Sequence, residues 1–358
     1  MNDRPRARKG RGALSNPPPR FDAHQITAVD DGWYLEEESE SIPTTLEPDR
    51  ARGVITTNDS PDIPFEQSIN PYRGCSTGCP FCFARPTHAY LGLSPGIDFE
   101  TRLFYKADAA KILEAELSRP GYICKPIQLG INTDAYQPDE RHMKVTRSIL
   151  EVLERTRHPV SILSKHTLVL RDLDLLISLA RDNLVSVSLT ITTLDDALKR
   201  RLEPRAASPA ARVRTLAALA AAGVPCGVMV APVIPALTDH EMERILAACA
   251  AVGARWAGYT LLRLPYEVKD LFKEWLAAHY PERAEHVMSL IRDMRGGREN
   301  DAHFGSRMRG TGPCALLLGS RFKLACQRLG LNSSSREALD TTRFRPPGPA
   351  GAQMQLGW

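Results

Sequence analysis

The sequence predicts an α/β protein in which parallel strands alternate with helices and the sheet curls into a full or partial barrel. Three observations predict it. Short β-branched runs recur from about residue 66 to 264, amphipathic helical periods separate them, and strand starts fall about 25–60 residues apart, as βα units require. With 358 residues, 43% of them hydrophobic and 25% charged, the chain can bury such a core, which excludes disorder throughout.

Residues 1–60 read as a mostly disordered or irregular arm. They are rich in Arg, Gly and Pro, with Pro17, Pro18 and Pro19 in a row, then acidic at Glu36, Glu37, Glu38 and Glu40. Residues 61–264 are the expected barrel core, with candidate strands Gln67–Arg73, Pro126–Asn132, Val160–Ser164, Leu184–Thr192, Pro225–Val233 and Arg255–Arg263. Between them Leu173, Leu176, Ile177 and Ala180 fall at i, i+3, i+4, i+7. So do Val213, Leu216, Ala217 and Ala220, and again Met242, Ile245, Leu246 and Cys249.

The fourth strand alternates apolar and hydroxyl side chains from Val185 to Thr192. Successive residues face opposite ways, so one face lines something polar, either a ligand cavity inside the barrel or, at an edge, water. After Leu264 the strands stop. Val268, Leu271, Phe272 and Trp275, then Val287, Leu290, Ile291 and Met294, mark two helices of an extension over 265–332. A third helix, 315–329, follows the Gly-rich basic turn Arg307–Pro313. Residues 333–358, rich in Ser, Pro and Gly, read as an irregular tail.

Net charge is +4, too small to argue for nucleic acid by itself. The charge is uneven: residues 1–20 carry six Lys/Arg against one Asp, and residues 283–345 carry twelve against six acids, so the middle is acidic. The Arg307–Pro313 turn feeding a helix could seat a phosphate on backbone N–H groups, which keeps nucleic acid among the expected substrates. No membrane span is expected, because the most apolar stretch, Ala220–Leu237, is broken by Pro225, Pro232 and Pro235. The N-terminus has basic residues with no apolar core after them, unlike a secretory peptide. Eight cysteines without export point to a reducing compartment, the cytoplasm, where clustered thiols act as metal ligands.

Three of those cysteines carry chemistry. Tyr72-Arg-Gly-Cys75-Ser-Thr-Gly-Cys79-Pro-Phe-Cys82-Phe83 spaces them CxxxCxxC at the start of the first long loop. Three thiolates can converge on one centre but do not complete a four-coordinate site. A zinc site would need a fourth ligand, for which His88 is the near candidate. In a 4Fe–4S cubane three cysteines hold three irons and leave the fourth open. Phe81 and Phe83 would shield such a cluster from water, and Gly74 and Gly78 let the backbone wrap close around it.

CxxxCxxC after the first strand of a βα barrel resembles the radical S-adenosylmethionine (radical SAM) superfamily. Other segments resemble its spore photoproduct lyase-like branch, often labelled DNA repair photolyase-related. They are Asn70–Cys75, Asn132–Pro138 with Glu140, Ser164-Lys165 with Leu168–Asp172, Leu202–Arg205 and Val230–Pro235. The resemblance covers roughly residues 68–330. It implies a partial (β/α)6 TIM-like barrel with a cluster at its C-terminal mouth, ligated by Cys75, Cys79 and Cys82. It also implies SAM as second cofactor, chelated to the open iron and cleaved by one electron to methionine and a 5′-deoxyadenosyl radical that abstracts a substrate hydrogen. A low-potential donor, ferredoxin or flavodoxin, is the implied partner.

By the same resemblance Thr133 and Asp134 hold the SAM amino group, unless they make a helix cap or Asx turn. Lys165 pairs with the SAM carboxylate, and Thr190 and Thr192 reach the ribose. Glu203 and Arg205 either bind SAM or form an ion pair with each other that fixes their loop. The Pro232–Pro235 run walls the adenine. One departure matters: the photoproduct lyase uses a cysteine near the end of the second strand as hydrogen donor, and Leu129–Asp134 contains none. Cys124 precedes that strand, at the wrong end of the barrel. Cys314, beside the Gly-rich turn, is the leftover thiol that could donate instead. The expected activity is therefore radical SAM chemistry on an unidentified substrate. The alternatives are DNA lesion repair and a non-catalytic zinc- or cluster-based nucleic-acid binder.

Overall fold

In the computed structural model, which describes residues 7–22, 42–333 and 338–348, every one of the six β-branched runs forms a strand. In chain order the strands are β1 (Thr45–Pro48), β2 (Ile55–Thr57), β3 (Gln67–Ile69), β4 (Tyr72–Arg73), β5 (Arg102–Tyr105) and β6 (Ile127–Leu129), then β7 (Val160–Ser164), β8 (Val185–Thr190), β9 (Cys226–Val233) and β10 (Trp256–Leu261). β3, β6, β7, β8, β9 and β10 lie side by side in that order, each parallel to the next. β2 adds an antiparallel edge beyond β3, while β1, β5 and β4 form a small second sheet.

β2 and β10 are opposite edges of the larger sheet and do not pair, so the barrel is partial, as expected. The sheet nevertheless curls. The loop between β2 and β3 meets the segment after β10, where Arg307 Nε donates to Asp62 Oδ2 at 2.5 Å and Gly305 N to Asp62 Oδ1 at 2.6 Å.

The helices are α1 (Asp98–Thr101), α2 (Ala109–Leu117), α3 (Glu140–Met143), α4 (Val145–Arg155), α5 (Leu173–Ala180), α6 (Asp196–Leu202), α7 (Pro209–Ala221), α8 (Met242–Ala250), α9 (Val268–His279), α10 (Pro281–Asp293) and α11 (Gly312–Arg328). Their starts follow local chemistry. Asp195 caps α6 by accepting from Ala197 N and Leu198 N, and Ser208 caps α7 just before Pro209. α8 and α9 bury the stripes read from their periodicity. α7 does not: its buried face is Arg212, Thr215, Leu216 and Leu219, rotated from the expected Val213–Ala220 stripe. The helix is alanine-rich and weakly sided, so the pull of a buried carboxylate on Arg212 turns it.

β8 is flanked by β7 and β9, which removes the edge-strand reading. Val185, Val187 and Leu189 join the apolar core with Leu216 and Leu219. The hydroxyl face looks into the barrel, where Ser186 and Ser161 share a 2.8 Å hydrogen bond and Trp256 Nε1 donates to Ser188 at 3.1 Å. Trp256 lies across Gly227, where an added Cβ would come within 2.3–2.5 Å of the indole. Gly227→Ala is therefore expected to displace the indole and cost about 1–3 kcal/mol, read as a lower denaturation midpoint and altered tryptophan emission. An unchanged midpoint would show the barrel floor to be loosely packed.

Of the first sixty residues, the described 7–22 are irregular, whereas part of 42–60 is strand. They contribute β1 and β2, so the barrel sheet begins before the boundary expected at 61. Gly12 N and Ala13 N donate to Glu100 at 3.0 and 2.8 Å, and Ala13 is fully buried. Composition hides this because the contacts are made by backbone. Part of the expected irregular tail is tied down too: residues 338–348 have no helix or strand, yet Phe344 packs on Tyr122 and His158, and Arg345 N donates to Thr156 O at 2.8 Å. Among the described residues no helix is long and apolar enough to cross a membrane.

Candidate functional site

The cysteine loop leaves β4 and is bent by two left-handed glycines, Gly74 (φ 74°) and Gly78 (φ 76°). A Cβ at Gly78 would sit 2.8 Å from Glu100 Oε2 and 3.1 Å from Pro204 Cγ, so glycine is required by space as well as by backbone angle. Every turn of the loop is anchored. Cys75 N donates to Phe99 O (2.9 Å), Ser76 N to Gln137 Oε1 (2.9 Å), Ser76 Oγ to Asp139 Oδ2 (2.7 Å) and Arg205 N to Thr77 O (3.3 Å). Arg85 Nε donates to Cys79 O at 2.7 Å, and the same guanidinium forms a fully buried ion pair with Glu100. That pair escaped sequence reading, since nothing in its local pattern marks it.

Cys75 and Cys79 are buried, Cys82 is half-buried, and all three are free thiols. Burial is the main influence on each. It pushes the Cys75 thiol up to about 12, Cys79 well above its ordinary value and Cys82 upward. Cys79 also feels Lys165, Glu203, Cys82 and Cys75, and Cys75 feels Asp134, so these groups share one electrostatic neighbourhood. The Cys75 thiol donates to Thr77 Oγ1 at 3.2 Å, and that hydroxyl lies 3.0 Å from His166 Nε2.

Around the loop, the C-terminal ends of three strands meet. Asp134, after β6, makes the Asx turn, accepting from Tyr136 N at 2.9 Å. It also ties β7 through Ser164 Oγ and Lys165 N, both at 2.7 Å. Thr133 is buried, and its hydroxyl donates to Tyr72 O at 2.9 Å. Lys165 Nζ lies 5.7 Å from the centroid of Phe81 and donates to Glu203 Oε1 at 2.6 Å. Glu203 is fully buried and also accepts from Thr192 Oγ1 at 2.7 Å and from Arg212. Burial alone would raise its carboxyl, but the charges of Arg212 and Lys165 and the hydrogen bonds from Lys165 and Thr192 outweigh it. The group is held well below the usual carboxylate range.

The expected Glu203–Arg205 ion pair does not form. Glu203 takes Lys165 and Arg212 instead, while Arg205 Nη1 reaches Thr44 Oγ1 at 3.4 Å. The reason is direction: the chain turns at Pro204, and α7 returns Arg212 to the carboxylate from nine residues on. Thr190 ends β8, buried, with its carbonyl accepting from Arg212 Nη1 at 2.7 Å. Cys314 stands apart, exposed on the first turn of α11. In the turn before it the N–H groups of Arg307, Arg309, Gly310 and Thr311 are bonded to carbonyls of His303, Ser306 and Met294.

The segments that carried the resemblance are wired to one another. Asn70 Oδ1 accepts from Asn132 N at 2.9 Å, Tyr72 OH donates to Glu140, and Arg171 Nη2 donates to Glu140 Oε1 at 2.7 Å. Thr192 Oγ1, whose proton goes to Glu203, lies 3.0 Å from Ala231 O, bringing the strand-four and strand-five segments together.

The donor set, three cysteines on one loop, fits an iron–sulfur cluster. Among the described residues no three His, Cys, Asp or Glu side chains close on a single ion. His88 lies with its Nε2 3.0 Å from Arg102 O and its ring against Phe99, while its Nδ1 is buried without a hydrogen-bond partner. Three soft sulfur donors on one wrapped loop, each within reach of the others' charge, suit a group larger than one ion.

The family model described as the Radical SAM superfamily matches residues 69–249. The chain belongs to that superfamily, whose members use a 4Fe–4S cluster and SAM, the two cofactors expected from the sequence. It is 40% identical over 232 residues to an uncharacterized protein of Mycobacterium tuberculosis (strain ATCC 25618 / H37Rv), covering 64% of this chain and 68% of that one. It is 29% identical over 217 residues to an uncharacterized protein of Methanocaldococcus jannaschii, covering 61% and 77%. Among solved structures it is similar to spore photoproduct lyase complexed with dinucleoside spore photoproduct. The TM-score is 0.56 at 15% identity over 80% of each chain, which establishes the shared fold.

Proposed function

We propose that this protein is a radical SAM enzyme acting on a substrate yet to be identified. In this reading Cys75, Cys79 and Cys82 hold a 4Fe–4S cluster. Lys165, Glu203, Thr190 and Thr192 face SAM, with Thr133, Asp134 and Arg205 positioning the loops around it. The observation that carries it is the grouping of two buried thiols and one half-buried thiol near the Lys165–Glu203 pair at the C-terminal mouth of a parallel barrel. When bound, the reduced cluster supplies one electron that splits SAM into methionine and a 5′-deoxyadenosyl radical. Its electron comes from a low-potential donor of the ferredoxin or flavodoxin class.

The chain's own contribution is placement and exclusion. Glu203 and the Phe81 ring fix the Lys165 ammonium, which can pair with a carboxylate. Asp134 locks the loop after β6 to the loop after β7, so groups on both keep their spacing. Burial of the loop keeps water from a reactive radical. The eight free cysteines fit a reducing compartment such as the cytoplasm.

Reduced, cluster-loaded protein given SAM under anaerobic conditions is expected to release 5′-deoxyadenosine. Cluster formation without that product would favour a non-catalytic cluster-binding role. The structural likeness to spore photoproduct lyase supports a second reading, DNA lesion repair. It would need a hydrogen donor from elsewhere than Leu129–Asp134, and exposed Cys314 is the candidate. Incubation with dinucleoside spore photoproduct separates the two, since repair regenerates thymine.

A further inference from the structure

Among the described residues, one guanidinium beside the cysteine loop has no carboxylate of its own. Arg263 lies two residues beyond β10, at the end of the sheet where the loop gathers. It is half-buried, and its Nε is buried without a hydrogen-bond partner. Its Nη1 reaches Met308 Sδ at 3.7 Å, a weak acceptor. The guanidinium lies 5.9 Å from the ring centroid of Phe83, the residue after Cys82.

The charged groups acting on it are Arg307, Arg295, Asp62 and Asp301. Both carboxylates are engaged elsewhere. Asp62 accepts from Arg307 and Gly305 N, and Asp301 accepts from His303 N and Ser306 Oγ. Arg295 is satisfied by the carbonyls of Leu262, Ser306 and Arg307, which bring no negative charge. Three guanidinium groups thus meet two occupied carboxylates, and Arg263 is the cation left over. Burial, then Arg307 and Arg295, hold its proton affinity down to about 10. A partly desolvated charge without a partner is costly, and two fully buried arginines of this fold are paired with carboxylates, Arg85 with Glu100 and Arg212 with Glu203.

We propose that Arg263 binds an anionic oxygen of the substrate, a phosphate or a carboxylate, on the β10 side of the barrel mouth beside the cysteine loop. This rests on the radical SAM reading, which places the substrate at that mouth. Phosphate and carboxylate both match the planar fork of a guanidinium.

The test titrates cluster-loaded wild type, Arg263→Gln and Arg263→Lys with three probes by calorimetry: a dithymidine monophosphate, its uncharged methylphosphonate, and succinate. At least one anion is expected to bind wild type about 10-fold or more tightly than Arg263→Gln, with Arg263→Lys between them. Binding of the phosphodiester identifies a phosphate, and binding of succinate alone identifies a carboxylate. The proposal is overturned if neither anion binds, if all three proteins bind alike, or if the methylphosphonate binds as well as the diester. Should Arg263→Gln not fold, the comparison of wild type with Arg263→Lys decides, because loss of the planar fork alone should weaken binding. SAM cleavage by wild type without probe reports separately on the underlying reading, so failure of one is not mistaken for failure of the other.

Discussion

Replacing Cys79 with Ala is expected to abolish the brown chromophore and 5′-deoxyadenosine release together. Two thiols cannot hold a cubane at three corners, and the loop carries no fourth cysteine to replace the lost one. Changes to groups merely supporting a metal site cost roughly 10–100-fold, so loss of a ligand should leave less than about 1% of wild-type turnover. Iron analysis and absorbance read the cluster, and product chromatography reads the cleavage. Cys124→Ser, altering a half-buried thiol before β6, serves as the control that keeps colour. Retained cleavage in Cys79→Ala would refute the ligand assignment, and a colourless wild type carrying one zinc would refute the cluster.

The parts of this site that could be read from sequence are those made by residues close in the chain. CxxxCxxC places three thiols on one loop with the two glycines that bend it, so the motif contains its own geometry. The strands were legible for a similar reason: Val160–Ser164 is a β-branched run bounded as observed, and the Val185–Thr190 alternation records two different faces. What stayed hidden is made across the chain. Glu203 looks toward Arg205 in sequence, but its partner Arg212 sits in an alanine-rich helix that gives no sign of an inward cation. Arg85 and Glu100 read as surface charges until the fold buries both. Gly12 and Ala13 offer only backbone to the core, which no hydropathy pattern records. Arg263 is a further case, because the lack of a partner exists only in three dimensions.

Glu203→Gln is expected to be the most destabilising conservative change in the site. The carboxylate is fully buried between Lys165 and Arg212, and Arg212 itself is only 1% exposed. Gln keeps the shape and a hydrogen-bonding oxygen but leaves the Arg212 charge without a counter-charge. Breaking a buried pair in this way costs about 3–5 kcal/mol. Arg212 would keep its bonds to Thr190 O and Ala207 O, so the loss is electrostatic and not one of packing. The pH dependence gives an independent reading. An unfolded glutamate titrates near about 4.3, whereas Glu203 in the fold titrates well below that. Its contribution is therefore complete above about pH 4.3 and is lost as pH falls from there toward the folded value. Thermal midpoints of wild type should fall toward those of Glu203→Gln as pH drops from 5 to about 3, with the gap widest at neutral pH. A gap that stays constant over that range would mean the carboxylate is not held ionised by Lys165 and Arg212, and the positioning of Lys165 would need another cause.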